Sequence, residues 1–473
     1  MSDPTKDHIP SPPDAARPED QARQNLPLRE RLKVSGARTI ATQLFSDYGM
    51  LVVLLLLVGF FSIATFEKRK PLGAEAAEVV AKKIAGNFRQ GARALIIARD
   101  SEQDIAFAAQ LESLLKARGI EVVNRITGEP RDVRLTLEKQ AEAGPPVDVI
   151  ATTEHNAQIV NNIKSRISGL AQTNIVIPDS YSFPTFLRSD NLINVANQIV
   201  VIAIIAIGMT MVIITGGIDL SVGSLIALSA VATGILIERV GGTGASTLAM
   251  TVAALAAILI CGVVGLLSGV MVSGFRMPPF IATLGVMLVA SGLAYIISGG
   301  QSIYQIPDGF VWLGRGTAFL SIPNAVVLMI VLYALAHVVM SRMTLGRYIY
   351  AVGGNEEAAR LSGVNVRAIL LFVYTISGIM AGLGGVVLAS QLKSGAPTYG
   401  GLYELYVIAA AVVGGTSLAG GQGKVIGTLI GALIIGVIQN GMNLTGVESY
   451  TQKVVLGFVI LGAVLLDMLR KKK

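Results

Sequence analysis

The sequence predicts an all-α polytopic membrane protein of about ten transmembrane helices, with a small α/β domain inserted on the outer side of the membrane. Of the 473 residues, 52% are hydrophobic, only 15% are charged and 52 are glycine. This composition is typical of chains that cross a bilayer repeatedly. Apolar runs long enough to span a membrane recur along most of the chain. Between the first two runs lies a densely charged stretch with alternating strand and helix patterns.

The chain begins with a Pro- and charge-rich stretch, so residues 1–47 are predicted to form a cytoplasmic tail whose last part has the character of an interfacial helix. The first transmembrane helix is predicted at 48–66, around the apolar run Met50–Phe66. Its polar leader is too long for an ordinary signal peptide. We therefore interpret this run as a retained anchor.

The remaining transmembrane core is predicted at 188–473, with nine further spans at roughly 193–214, 220–237, 246–274, 280–298, 321–340, 367–390, 405–419, 424–442 and 451–469. An even total places both basic termini on the same side, which the positive-inside rule makes cytoplasmic. The loops then placed inside hold Arg276, Arg342, Arg347, Arg360, Arg367 and Lys424. Those placed outside hold only Arg239, Arg315, Lys393 and Lys453.

The charged stretch at 67–187 is predicted to be an extracytoplasmic α/β domain. Short apolar strands are expected at 94–98, 121–126, 147–153 and 174–177, with amphipathic helices at 101–118, 131–143 and 155–168. This alternation predicts a small parallel sheet covered by helices. Ligands of such sheets bind beyond the strand carboxyl ends, here near Arg99, Asp100, Thr152, Thr153 and Glu154. The alternative, which we favour, is that these residues only cap the following helices.

Composition excludes several function classes. The net charge of +7 is not arranged as a basic stripe with aromatic residues, so a nucleic-acid partner is not predicted. The single cysteine, Cys261, allows no intramolecular disulfide. His8, His155 and His337 lack ligand spacing, so neither a metal site nor a cofactor is predicted.

The charged segment at 344–367 lies between two apolar runs and is predicted to be a docking segment. Glu356 to Leu361 form a strong helix-forming run, with Asn355 as N-cap and Gly363 as stop. The chain lacks a phosphate-binding loop. The nearest match, GGQGK at 420–424, has Leu418 where the motif needs its first Gly and Val425 where it needs Ser or Thr after the Lys. No enzymatic activity is therefore predicted, and a separate protein is expected to drive this one. The predicted docking residues are Gly353, Gly354, Asn355, Glu356, Glu357, Ala358, Ala359, Arg360, Leu361, Ser362 and Gly363.

Two glycine-rich segments, 208–231 and 410–432, are predicted to break membrane helices, and their similarity hints at an internal repeat. Asp219 is a functional candidate because ionisable residues are rare at membrane depth. It could equally cap the next helix with Ser221. Polar groups in the spans suit a neutral, hydroxyl-rich cargo, or they simply bond neighbouring helices. The pathway candidates are Asn194, Asn197, Gln198, Gly216, Gly217, Asp219, Ser221, Thr283, Gly414, Gly415, Gln439 and Asn440.

Three segments, GMTMVIITGGIDLSVGSLIALSAV at 208–231, RMPPFIATLGVMLVASGLAYIISGG at 276–300 and GNEEAARLSGVNV at 354–366, resemble the permease subunits of ribose-type bacterial sugar ABC importers. Relatives of this type serve ribose, xylose, arabinose, galactose and myo-inositol. The resemblance covers 40–66 and 185–470. Residues 67–184 depart from it, because such permeases have a short outer loop there.

The resemblance implies a monosaccharide or polyol permease in the bacterial inner membrane. It also implies a cytoplasmic ATPase with tandem nucleotide-binding halves, in which the loop at Gly353–Val366, within the 344–367 segment, is seated. The other implied partners are a periplasmic sugar-binding protein and a second permease copy, most simply an identical one. Two alternatives stay open: an ion-coupled secondary sugar transporter, and a membrane receptor that senses a ligand through its outer domain. The sequence does not name the sugar.

Overall fold

The computed structural model describes residues 49–69, 71–143, 146–167, 169–318 and 321–471. The tail predicted at 1–47, with its interfacial helix, lies outside them. The chain divides into two compact units, one from Phe61 to Arg188 and the other formed by Met1–Phe60 with Ser189–Lys473. The described part begins with an apolar helix, α1 (Gly49–Ala64).

A four-stranded parallel sheet is the core of the Phe61–Arg188 unit, with strand order β3-β2-β4-β5. The strands and helices expected from the sequence lie within a few residues of their predicted positions. The helix at Gly73–Asn87 and the two-stranded ribbon of Phe66–Arg69 with Tyr181–Pro184 were not predicted. In chain order the elements are β1 (Phe66–Arg69), α2 (Gly73–Asn87), β2 (Arg93–Ala98), α3 (Glu102–Ala117), β3 (Glu121–Thr127), α4 (Pro130–Ala143), β4 (Val149–Thr152), α5 (Glu154–Lys164), β5 (Asn174–Val176) and β6 (Tyr181–Pro184).

Both faces of this sheet are buried, which explains its continuous apolar strands. Side chains alternate between the faces along β2. Ala94, Ile96 and Ala98 pack in the cluster that also holds apolar residues of α2 and α3. Leu95 and Ile97 pack in a second cluster, with residues of α4 and α5.

The chain enters and leaves this unit through paired strands. Strand β1 pairs antiparallel with β6, so that Phe66 lies opposite Pro184. The Thr65 hydroxyl accepts a hydrogen bond from the Phe186 amide at 3.0 Å. The rings of Phe61 and Phe186 stack with their centroids 5.9 Å apart. The two ends of the unit are therefore held side by side.

The second unit is helical. Its elements are α6 (Ser189–Ile214), α7 (Val222–Arg239), α8 (Thr247–Gly274), α9 (Pro279–Ser298), α10 (Trp312–Arg315), α11 (Asn324–Arg342), α12 (Thr344–Gly354), α13 (Glu356–Leu361), α14 (Val366–Leu392), α15 (Tyr403–Val413), α16 (Val425–Leu444) and α17 (Ser449–Lys471).

Within the described residues, seven helices are long and apolar enough to cross a membrane, namely α6, α7, α8, α9, α11, α14 and α16. Two further apolar helices, α1 and α15, are shorter. The spanning helix predicted at 405–419 is wrong. Helix α15 has only 11 residues, about 16 Å of helix, and ends at Val413 because Gly414 and Gly415 follow.

Helix α14 packs closely against its neighbours through small residues. An added Cβ at Gly378 would lie 2.3 Å from the Cys261 carbonyl oxygen of α8. One at Gly265 would lie 2.4 Å from the Tyr374 carbonyl oxygen. Close backbone approach of this kind is how membrane helices associate without a hydrophobic driving force. Cys261 is a free, buried thiol.

Candidate functional site

The predicted docking helix forms at the expected residues. The Asn355 side chain accepts a hydrogen bond from the Ala358 amide at 2.9 Å, which caps α13. Gly363, at φ +86°, ends the helix in a left-handed conformation. Arg360 donates to both carboxylate oxygens of Glu357, at 2.6 and 2.7 Å. Most of this helix is exposed, and Leu361 is 80% exposed, so its surface is open to a partner.

A preceding helix that the sequence did not reveal, α12, joins this segment to the membrane helices. The Tyr350 hydroxyl donates to the Gly423 carbonyl oxygen at 2.8 Å. Burial raises the pKa of this phenol, so it stays protonated as a donor. The end of α12 is thereby attached to the loop at 414–424.

Backbones of three segments meet at what we call the glycine junction, formed by Ile214, Gly353, Gly420 and Gly421. The Gly421 amide donates to the Ile214 carbonyl oxygen at 2.8 Å. A Cβ added at Gly353 would lie 1.6 Å from that same oxygen, and one at Gly420 would lie 2.8 Å from the Gly353 oxygen. Only glycine at position 353 allows this approach.

The two glycine-rich breaks share one backbone design. After α6, Gly216 at φ +81° donates to Ile213 O and Gly217 donates to Val212 O. After α15, Gly415 at φ +89° donates to Val412 O and Thr416 donates to Ala411 O. Both are Schellman-type helix ends. This matched geometry supports the internal similarity that the sequence indicated between 208–231 and 410–432.

Asp219 is fully buried at the first break. Its carboxylate accepts hydrogen bonds from the Ser221 amide at 3.0 Å, the Ser221 hydroxyl at 2.6 Å and the Ser377 hydroxyl at 2.7 Å. The Ser221 side chain makes no cap hydrogen bond to α7, whereas Asp219 accepts from the free Ser221 amide, as the capping alternative expected. Ser377 lies 11 residues along α14 from Val366, or about 16 Å. Asp219 therefore ties the first break to α14, about 16 Å from the start of that helix.

An extended segment and a half-helix replace the span predicted at 405–419. After α14, Gly395 pairs with Ile303 through two backbone hydrogen bonds. A Cβ at Gly395 would lie 2.4 Å from Ala230 O, and one at Gly400 would lie 2.3 Å from Gly223 O. These two contacts are seven residues, or about 10 Å, apart on α7. The segment thus runs down α7 to its start, where α15 begins.

A polar cavity of about 190 Å³ lies where α7 and α15 begin. Glu404, in the first turn of α15, is half-buried and lies against Gly223 of α7. Non-helical backbone at membrane depth is tolerated where it is packed in protein or lines such a cavity. The hydroxyl groups around it come from Ser224, Ser291, Tyr295, Thr398 and Tyr399.

A second, larger cavity of about 540 Å³ lies beside the docking helix. It reaches from the first break to α13. Tyr374 lines it, and the Tyr374 hydroxyl is buried with no hydrogen-bond partner in the described part of the chain. Charged groups at its wall are Arg276, Glu356, Arg360 and Arg367.

Half of the predicted pathway residues lie at the two breaks, namely Gly216, Gly217, Asp219, Ser221, Gly414 and Gly415. Others bond neighbouring helices. Asn440 and Asn191 exchange two hydrogen bonds, at 2.9 and 3.0 Å, and Asn197 accepts from Gln391 at 3.1 Å. The Thr283 hydroxyl lies 2.9 Å from Pro279 O of its own helix and 3.2 Å from Ile218 O at the first break. Asn194 and Gln198 are exposed on α6, and Gln439 is half-buried.

The residues of the polar cavity were missed by sequence reasoning. Glu404 could have been found, because an ionisable group inside an apolar run is a functional candidate. The Pro397–Gly401 cluster, Pro-Thr-Tyr-Gly-Gly, also indicated a break in that run. In the described residues no cluster of three or more His, Cys, Asp or Glu forms a potential metal site.

Comparisons place the helical part in a known group. Residues 191–464 match the family described as branched-chain amino acid transport system / permease component. Ribose import permease protein RbsC of Escherichia coli (strain K12) is 46% identical over 288 residues, 60% of this chain and 87% of that protein. RbsC of Bacillus subtilis (strain 168) is 43% identical over 300 residues, 63% of this chain and 90% of that protein. No solved structure matches the chain.

A relative with another named sugar is the D-allose transport system permease protein AlsC of Escherichia coli (strain K12). It is 37% identical over 298 residues, 63% of this chain and 89% of that protein. The family match begins at residue 191. The Phe61–Arg188 unit therefore lies outside it.

Proposed function

The chain belongs to the permease-component family of branched-chain amino acid transport systems, and from that premise we propose how it moves its cargo. It is the transmembrane permease subunit of a sugar ABC importer, a multi-pass protein of the inner membrane. ATP is hydrolysed by a partner subunit, and a periplasmic binding protein is the other partner. We propose that the sugar passes through the polar cavity near Glu404, and that the ATPase acts on the segment 344–367.

The observation that carries this proposal is the position of the polar cavity. It lies where the broken α15 and the start of α7 meet. Transporter substrate sites occur near the bilayer midplane at such broken helices, whose N-terminal dipole ends face the cargo. An apolar cavity of about 150 Å³ already admits benzene. A polar one of about 190 Å³ is suited to a single sugar ring.

The lining chemistry supports a hydroxyl-rich cargo. Side-chain hydroxyls both donate and accept, and the Glu404 carboxylate accepts from sugar hydroxyls. A carboxylate also disfavours an anionic cargo. The cavity therefore matches the class of substrate in the names of the ribose and allose permeases.

The glycine junction provides a physical connection for the driving force. Motion of α12 and α13 displaces Gly353, which packs against Ile214 at the first break and Gly420 next to the second. Both broken segments lead from this junction to the polar cavity. A packed backbone contact transmits displacement because interiors are close-packed and not continuously deformable.

The orientation in the membrane, the number of permease copies and the roles of the pathway candidates are also proposed. Basic loops favour cytoplasmic termini, which places 344–367 inside and the Phe61–Arg188 unit outside. Two copies of the permease would form the pore, served by an ATPase with tandem nucleotide-binding halves. The pathway candidates at the breaks are assigned to gating, and the polar pairs such as Asn191 with Asn440 to helix packing.

An uptake experiment distinguishes this function from its rivals. Right-side-out vesicles carrying the permease and its binding protein are supplied with labelled D-ribose, D-allose or D-galactose, with and without the ATPase. We expect uptake of at least one sugar that needs the ATPase and internal ATP and persists with an ionophore. Uptake without the ATPase, abolished by an ionophore, would instead indicate an ion-coupled transporter. Ligand binding without uptake would indicate a receptor.

Replacing Glu356, Glu357 and Arg360 together by alanine is expected to remove the ATPase from the purified complex. Each contributes to the exposed surface of α13, and interface anchors typically cost about 2 kcal/mol or more on truncation. ATP-driven uptake should fall about tenfold or more, while the amount of chain in the membrane is unchanged. The measurement is co-purification of the ATPase together with vesicle uptake.

Glu238→Ala is the control for this triple variant, because Glu238 is exposed at the far end of α7. It should leave co-purification and uptake unchanged. Retention of the ATPase by the triple variant at the wild-type level would contradict the docking role of α13.

A further inference from the structure

The sheet of the Phe61–Arg188 unit contains a topological switch point between β2 and β4. Strand β2 is parallel to both neighbours, β3 and β4. Helix α3, which follows β2, packs on one face, and α5, which follows β4, packs on the other. Connections that leave adjacent strands toward opposite faces open a crevice at the strand carboxyl ends.

Two helix N-termini border this crevice. Helix α3 has 16 residues and follows β2, and α5 has 11 residues and follows β4. The Ser101 hydroxyl caps α3 by accepting from the Asp104 amide at 3.3 Å. Thr153 occupies the equivalent position before α5, yet its side chain makes no cap hydrogen bond. The capping explanation favoured from the sequence therefore fails for the Thr153 side chain.

Two polar side chains at this point are buried without partners. Thr153 is 3% exposed and Asn156 is 5% exposed. The Thr153 hydroxyl and the Asn156 amide nitrogen have no hydrogen-bond partner among the described residues. Buried polar atoms left unpaired destabilise a fold, so each needs an explanation such as an absent ligand. Thr153 directly precedes α5 and Asn156 lies in its first turn, at the switch point.

A buried carboxylate lies at the N-terminus of α3, directly after β2. Asp104, in the first turn of α3, is 3% exposed. It accepts from the Arg99 amide at 3.3 Å and from Arg99 Nε at 3.1 Å. Both bonds use Oδ2, which leaves Oδ1 to accept from a further donor.

We propose that this crevice binds a small, neutral, hydroxyl-rich molecule such as a monosaccharide or a cyclic polyol. The Asn156 amide would donate to a ligand oxygen, the Thr153 hydroxyl would donate and accept, and Asp104 would accept from a ligand hydroxyl. The site lies outside the family match at 191–464, so it is a second binding function and does not depend on the transport pathway.

Hydrogen–deuterium exchange of the full chain in lipid nanodiscs tests this proposal. The probes are D-ribose, D-galactose and myo-inositol at millimolar concentration, with ribose 5-phosphate as the anionic counterpart. Exchange through local opening slows by the factor 1 + [L]/Kd, about elevenfold when free ligand is ten times Kd. We expect such slowing in peptides covering 99–104 and 153–160 with at least one neutral probe.

The variants Thr153→Val and Asn156→Leu keep the side-chain shape and remove the polar atoms. Each is expected to abolish the slowing at 99–104 and 153–160. Asn161→Leu is the matched control, because Asn161 is exposed on the same helix, and it should keep the wild-type response. Sugar binding in the transport pathway would be recorded separately, in peptides covering 223–227 and 398–404.

Three results would overturn the proposal. One is an unchanged exchange rate at 99–104 and 153–160 of the wild-type chain with every neutral probe. Another is the same slowing in Thr153→Val and Asn156→Leu as in the wild type. The third is slowing by ribose 5-phosphate alone, which would make the crevice an anion site. The wild-type measurement decides the first and third even where a variant fails to fold.

Discussion

Replacing Gly353 by alanine is expected to abolish ATP-driven sugar uptake while the chain still inserts into the membrane. The new Cβ would lie 1.6 Å from Ile214 O and 2.7 Å from the Gly421 amide nitrogen. Both neighbours are backbone atoms, so the three segments of the glycine junction must separate. Overpacking of this kind costs about 1–3 kcal/mol or more. A misplacement of about 1 Å can lower a rate about 100-fold, and we expect a loss of that order in vesicle uptake.

Gly292→Ala is the control. Gly292 lies within α9, outside the docking segment, and an added Cβ there would have nothing within 4 Å. Alanine at an unstrained glycine position stabilises by about 0.4–1 kcal/mol, because the unfolded chain loses freedom. Uptake by this variant should equal the wild type. Equal uptake by Gly353→Ala would mean that the junction does not transmit the driving force.

Replacing Glu404 by alanine is expected to reduce sugar uptake. Among the described residues that line the polar cavity, Glu404 supplies the only carboxylate. Hydrogen bonds to a charged group contribute about 1.5–3 kcal/mol, which corresponds to about 10- to 150-fold in sugar uptake below saturation. Glu404→Gln keeps the shape and one acceptor oxygen, so it should retain an intermediate rate. The measurement is initial uptake against sugar concentration.

Co-purification of the ATPase distinguishes a blocked sugar pathway from a complex that no longer assembles. The amount of ATPase that co-purifies should be unchanged in both Glu404 variants. Glu238→Gln, a change of the same chemistry at an exposed position of α7, should transport normally. Wild-type uptake by Glu404→Ala would show that the sugar does not pass this cavity.

Local patterns in the sequence predicted the local structure well. The docking helix could be predicted because Asn355, the Glu-Glu-Ala-Ala-Arg-Leu run and Gly363 are neighbours in sequence and act on the same few backbone groups. The strands of the sheet could be predicted because each is a short apolar run bounded by turn residues. Gly216 and Gly415 were recognised as helix breaks because each belongs to a Gly-Gly pair directly after an apolar run.

Long-range pairing could not be predicted in this way. The junction of Ile214, Gly353 and Gly421 joins positions that are far apart in sequence, and no local pattern records which backbones touch. The run at 405–419 has the hydropathy of a span, but hydropathy does not distinguish a full helix from an extended segment followed by a half-helix. The sequence also does not distinguish polar residues that bond a neighbouring helix from those that line a cavity. Asn440 bonds a neighbouring helix, whereas Glu404 lines a cavity.

The paired strands β1 and β6 have a consequence for how this chain could have arisen. Because Phe66 lies opposite Pro184, the first and last strands of the Phe61–Arg188 unit lie side by side. We call a unit with adjacent ends of this kind a cassette. A gene encoding a permease with a short hairpin there could acquire or lose such a cassette without changing the spacing between the flanking segments. Folding of the cassette and folding of the membrane helices then become separable events, because ends held side by side add little loop-closure entropy.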